Sequence, residues 1–280
     1  MGFMGEFQRR IGKRDVVFPL VPAVLLGVHA LPESVRRGLV FSYTEPTVTT
    51  AFTSHFVHLG GEHLFVNLAS YVLLAPTAYV ISAFAGRREP FLKAFVLLHL
   101  VAPFALSGAN LLFVRPRIAF GYSGVAMGLL AMLGLELFSY GRRVISPALD
   151  LENAVVLFLI ETLLITAALV PRLEGLTAVA AVCAAAVAVY GWHIHRNVDP
   201  DAGLLGAYTE EPGYAELGAV GLGLLLVYPF VAFPPDPAGE GSVLNLYTHL
   251  LGFCLAFIVG YVAKVEFRFP TVRGVYEAGR

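Results

Sequence analysis

Apolar residues in this chain come in long, nearly unbroken runs, not in the amphipathic spacing of helices or strands half-exposed to water. Runs bounded by charge or by Pro/Gly clusters fall at about 16–32, 63–85, 91–113, 119–139, 153–171, 175–193, 215–233 and 243–265. Each approaches or exceeds the roughly 20 residues that carry a helix across a bilayer. Only helices and closed barrels satisfy the backbone in lipid, and the alternating segments of a barrel are missing. The pattern therefore predicts an all-α polytopic membrane bundle of eight spans, forming a single membrane domain over residues 1–280.

Composition agrees with lipid as the main solvent. Hydrophobic residues make up 57% of the chain and charged residues 14%, with a mean hydropathy of +0.73; a water-soluble domain carries about a quarter charged residues. The formal net charge of −1, without any basic tract interleaved with aromatics, gives no support to nucleic-acid binding. Cys183 and Cys254 both fall in apolar runs and read as small hydrophobes. Arg9, Arg10, Lys13 and Arg14 precede the run Val16 to Ala30 as they would in a signal peptide, but "HALPESVRR" is a poor cleavage context, so the segment reads as a retained helix.

Lys and Arg set the orientation. With the N-terminus in the cytoplasm, fourteen of the 19 fall inside, and Arg36, Arg37, Arg115, Arg117 and Arg172 fall outside, which predicts N-in and C-in. The first external segment, about 33–62, is long and partly apolar, suited to lying in the interface. The internal segment 196–214 reads as a polar linker.

On this topology the run containing "FGYSGVAMG" (Phe120–Gly128) and the run containing "YTHLLGFCLA" (Tyr247–Ala256) both enter from outside, which puts Ser123 and His249 at one level near the outer face. Gly124 and Gly128 form one small-residue stripe, and His249, Gly252 and Ala256 another. Facing stripes permit the close approach that a Ser–His hydrogen bond requires. Packing alone also accounts for a serine among glycines; the alternative is a nucleophile whose proton a neutral imidazole removes. "HLGGEHLFVN" (His58–Asn67) places His63 and Asn67 on one helical face near the same boundary, where an imidazole N–H, an amide and the Ser123 backbone N–H are suited to an oxyanion. The bland reading of that pair is an interhelical hydrogen bond.

"GYSG" (Gly121–Gly124), "HLFVN" (His63–Asn67) and "HLLGFCLA" (His249–Ala256) together, in this order and sidedness, resemble the motifs of the rhomboid intramembrane serine proteases. The resemblance implies Ser123 as nucleophile, His249 as its base in a dyad without an acidic member, and His63 and Asn67 as oxyanion-stabilising residues, flanked by Gly121 and Gly124. His58 matches a further histidine often seen there. It implies serine endopeptidase activity on transmembrane protein substrates within the bilayer, without cofactor or metal. The chain departs from the family pattern in four ways. Three helices, not one, lie between the serine and histidine helices, so an extra pair falls within about 150–235; the even number preserves the side on which His249 emerges. The first external loop lacks a Trp-Arg pair. Met127 stands where many members carry an aromatic that stacks on the histidine. Ala256 replaces a glycine in the motif begun by His249 and Gly252.

Glu161, in mid-span, reads as a neutral, hydrogen-bonded carboxyl or as part of a separate polar site. His99 reads as structural, and His193 and His195 as interfacial residues with no third metal ligand nearby. The expectation is a multi-pass protein of a prokaryotic plasma membrane that cleaves transmembrane segments near the outer face. Its rivals are a member of the same fold that binds such segments without cutting them, and a transporter using Glu161.

Overall fold

A computed structural model of the chain describes residues 13–113, 116–146, 149, 151–169, 175–197, 213–234, 238–239, 242–243 and 245–266. The linker expected over 196–214 lies almost wholly outside them. All eight apolar runs are helical: α1 (Val17–His29), α4 (Gly61–Phe84), α5 (Arg88–Asn110), α6 (Ser123–Val144), α7 (Val155–Leu169), α8 (Leu176–Asn197), α9 (Tyr214–Ala232) and α10 (Leu246–Glu266). The loop after α1 adds the short helices α2 (Glu33–Gly38) and α3 (Val48–Thr53). Among the described residues, seven helices are long and apolar enough to cross a membrane, whereas α1 has only 13 residues, interrupted by Pro22 and stopped before Pro32. That is about 20 Å of helix, short of a hydrocarbon core of about 30 Å.

Side-chain contacts fix the relative directions. Near its start α1 is tied to one end of the bundle, where Asp15 bonds Arg88 at 2.7 Å and accepts from the Tyr79 hydroxyl. It finishes at the other end, where His29 Nδ1 donates to the His58 carbonyl at 3.1 Å. We call this second end the site end. There α4 begins, with His63 against Gly121, and at the opposite end Phe84 packs edge-on to Tyr214. The start of α9 is fixed at that opposite end by the Tyr140 hydroxyl on the Tyr214 carbonyl, and its finish, Ala232, reaches His249.

Helix α6 lies in the centre, almost wholly buried, with α4 and α10 as its main neighbours. Its contacts with α10 run in step: Gly124 with Thr248, Gly128 with Ala256, Leu135 with Gly260, Ser139 with Lys264. The two helices are therefore parallel. Helix α7 packs on α10 through Phe158, stacked on Phe253 at 5.5 Å, while α8 rests mainly on α7 and exposes most of its length.

The long loop after α1 is anchored without a Trp-Arg pair. Arg36 donates to the carbonyls of His58 and Leu59. Strand β1 (Phe41–Ser42) pairs antiparallel with β2 (Ile118–Ala119), and the Gly121 N–H reaches the Ser54 carbonyl at 2.9 Å. The loop is thus stitched to the chain just ahead of Ser123. A second ribbon, β3 (Ala238–Gly239) with β4 (Ser242–Val243), joins α9 to α10.

Candidate functional site

Ser123 is the first residue of α6, half-buried, so its backbone N–H is one of the donors that a helix start leaves without an intrahelical partner. The same end carries the positive pole of the helix dipole. Tyr122, just ahead, is fully buried, and its hydroxyl meets His99 Nε2 at 2.7 Å. His99 Nδ1 lies 2.7 Å from the Phe95 carbonyl and must donate to it, so Nε2 accepts from Tyr122. His99 is thereby structural: it holds the turn that presents Ser123.

The approach of α10 to α6 is set by two glycines. A Cβ on Gly252 would overlap the Gly124 carbonyl oxygen, and one on Gly124 would come within 2.7 Å of the Thr248 methyl. Ser123 directly precedes Gly124 and His249 directly follows Thr248, so the two residues flank this contact in the chain. His249 is buried, and its Nδ1 lies 2.8 Å from the Ala232 carbonyl. A carbonyl only accepts; the proton is therefore on Nδ1, and Nε2 carries the lone pair. That Nε2 is buried with no hydrogen-bond partner among the described residues. The Ser123–His249 hydrogen bond anticipated from the facing stripes is thus not closed here. Base–nucleophile bonds in free enzymes are often long or misaligned, tightening when substrate arrives.

Met127 is buried inside α6. The aromatic on His249 comes instead from the end of α9, where Phe233 meets the imidazole edge-on at 5.9 Å. Motif spacing on α6 and α10 gave no access to Ala232 and Phe233, which fix the tautomer and plane of the imidazole.

His63 lies over Gly121: a Cβ there would come within 2.6 Å of His63 Cε1, and φ of +111° is a conformation in which side chains are strained. Glycine is required at 121 on both counts. Asn67 is buried, and its Nδ2 donates to the His63 carbonyl at 2.8 Å, which leaves the second amide N–H for another acceptor. His58, fully buried, receives the Tyr122 N–H at 3.4 Å; burial, with smaller contributions from His63 and His29, pushes its pKa down to about 3. It is neutral and acts on the backbone beside the serine.

Another serine and histidine lie together nearby. His55 Nε2 is 3.0 Å from Ser107 Oγ, but the Ser107 hydroxyl is spent on the Ala51 carbonyl at 2.8 Å, so the imidazole donates. This pair pins the loop to α5; it is no nucleophile–base pair. Glu161 is buried, and neither carboxyl oxygen has a hydrogen-bond partner among the described residues, which goes against the first of the two expectations, a hydrogen-bonded carboxyl. His193, on exposed α8, meets Asn197 at 3.0 Å.

The fold and its apolar surface define an integral, multi-pass helical membrane protein. The Rhomboid domain family profile matches residues 45–197, more than half of the chain, and the protein belongs to the rhomboid family. The match holds His63, Asn67 and Ser123 and ends before α10, so His249 lies outside it. No curated protein and no solved structure matches the chain.

Proposed function

We propose that this rhomboid is an intramembrane serine endopeptidase working through a Ser123–His249 dyad. The observation that supports the reading is the glycine contact between parallel α6 and α10, flanked in the chain by a serine at a helix start and by an imidazole whose Nδ1–H is held by Ala232 and whose Nε2 has no partner among the described residues. Ser123 Oγ attacks the carbonyl carbon of a substrate peptide bond as its proton passes to His249 Nε2. The oxyanion is met by the Ser123 N–H, His63 and the spare Asn67 N–H. His249 returns the proton to the leaving amine as the C–N bond breaks, leaving an acyl ester on Ser123. A water, deprotonated by His249, then hydrolyses the ester.

On this reading the chain crosses the membrane eight times, α1 included, with both termini in the cytoplasm. Fourteen of 19 basic residues on the inner side support that orientation, and the plasma membrane of a prokaryote is the setting. The peripheral α7–α8 hairpin is the additional pair, and α9, packed on α4 and α6, is the single core helix between serine and histidine.

The open Ser–His geometry favours a second reading, a rhomboid that binds transmembrane segments without cutting them. Purified protein in lipid, treated with a fluorophosphonate probe and with a panel of single-span substrates, separates the two. The peptidase labels and cleaves, and Ser123→Ala or His249→Ala lowers cleavage by at least about a thousandfold. Folded wild-type protein that neither labels nor cleaves establishes the binder.

A further inference from the structure

The dyad accounts for His249 only from its own position inward, yet α10 begins three residues earlier in a polar cluster that the mechanism leaves unused. Asn245 caps the helix: its side-chain oxygen accepts the Thr248 N–H at 3.2 Å, and its backbone carbonyl accepts the His249 N–H, also at 3.2 Å. A cap needs only that oxygen. The Asn245 Nδ2, however, donates both to Asn110 Oδ1 at 3.0 Å and to the Tyr43 hydroxyl at 3.1 Å. Asn110, buried at the end of α5, gathers the rest: its Oδ1 also accepts from Tyr43 at 3.2 Å, and its Nδ2 lies 2.8 Å from Thr248 Oγ1 and 2.8 Å from the Leu106 carbonyl. The Thr248 methyl, meanwhile, rests on Gly124 beside the serine.

We infer that Asn110 and Asn245 are positioning residues for His249. They tie the first turn of α10 to α5 and to the external loop, and so fix where the imidazole stands against Ser123. The glycine contact by itself lets two smooth helices slide or rotate past one another; a set of directional bonds on the residues flanking His249 removes that freedom. Dense buried polar bonding of this kind is what gives a low-dielectric site a single geometry.

This inference rests on the peptidase reading, and the experiment keeps the two apart. Full-length wild type, Asn245→Ser and Tyr43→Phe are compared in lipid for kcat, KM and thermal unfolding on one cleaved single-span substrate. Serine retains a capping oxygen and lacks the bridging amide. The expected result for Asn245→Ser is kcat lower by about 10- to 100-fold at unchanged KM and unchanged unfolding temperature, since a displacement of about an ångström costs up to that much. A wild-type kcat in Asn245→Ser reduces Asn245 to a helix cap and overturns the inference while leaving the peptidase standing. If Asn245→Ser fails to fold, Tyr43→Phe decides: a lowered kcat at constant KM supports positioning, and an unchanged kcat overturns it. A wild type that cleaves nothing ends both readings together.

Discussion

At the site end, α6 and α10 meet backbone to backbone at Gly124 and Gly252, and the atom proposed as the base, His249 Nε2, has no partner among the described residues. Roughly 18 Å along the same pair of helices, the contact is made of charge. Glu136 of α6 is buried, with Lys264 of α10 at 2.9 Å and Arg87 at 3.4 Å. Lys264 also donates to the Leu135 carbonyl at 2.9 Å and to Ser139 at 3.0 Å. One end pairs buried charges, with Glu136 Oε2 and Arg87 Nε in ion-pair contact but without a hydrogen bond among the described residues; the other joins two backbones and leaves an imidazole nitrogen unpaired. Removing one partner of a buried ion pair strands the other's charge, so at the charged end the pairing of the two helices depends on both partners. The largest expected effect tests that division. Lys264→Met leaves the Glu136 carboxylate buried beside Arg87 alone and is expected to cost about 3–5 kcal/mol in equilibrium unfolding in mixed micelles. Replacing Glu136 and Lys264 together by Leu and Met is expected to cost much less, since no charge is then stranded. Peptidase activity per folded molecule stays at the wild-type level in both. A single substitution as mild as the double one would mean that the ion pair does not hold the helices.

Gly252→Ala attacks the reactive end. The added methyl meets a backbone carbonyl, which has no rotamer to escape into, so α10 must move away from α6. Overpacking of this kind costs about 1–3 kcal/mol. Because the displacement falls next to His249, cleavage should drop by about a hundredfold in the molecules that remain folded. Together with Lys264→Met this dissociates the two ends: one variant loses stability and keeps its rate, the other loses mainly its rate. Equal losses of both in both variants would make the contact a single undivided unit.

Much of this was readable in advance because lipid as solvent writes itself into the sequence. All eight apolar runs became helices with ends displaced by only a few residues, and the parity argument put Ser123 and His249 on helices that prove to be parallel neighbours. What escaped was polar chemistry set by packing between segments distant in sequence. Lys264 counted as a loop charge in the orientation argument, but it is buried against Glu136. Glu136 itself sat in "LGLELF" inside an apolar run, the same signal that singled out Glu161, and went unread. Asn110, Asn245 and Tyr43 lie up to 202 residues apart in sequence, and nothing local in any of them announces the other two. Phe233 was invisible for a related reason: the stacking position was sought on α6, and the aromatic arrives from α9.

Outside the spans, the site end is also the acid-sensitive one. Burial lowers the pKa of His55 to about 4 and that of His58 to about 3, from an unfolded value near 6.5. Between those values the unfolded chain binds protons that the folded chain refuses, so stability is full above pH 6.5 and falls as pH drops through the window. The slope is up to about 1.4 kcal/mol per pH unit for each imidazole. Stability against unfolding, measured from pH 7 down to pH 4.5, should therefore fall steadily. In His55→Gln the slope should be shallower, and an unchanged slope would place the acid sensitivity elsewhere.

The smallest effect is expected on α8, which rests mainly on α7. Val182 is 69% exposed, while its neighbour Cys183 is buried on the side facing α7. If lipid covers the open face, Val182→Ala exchanges one apolar surface for a smaller one in an apolar solvent, and unfolding stays within about 0.5 kcal/mol of wild type. A loss above about 1 kcal/mol, reversed on dilution of the protein in detergent, would mean that protein covers this face. The stability assigned above to Glu136 and Lys264 would then have to be measured in an assembly, because a partner that binds only the folded chain adds its binding free energy to every unfolding curve.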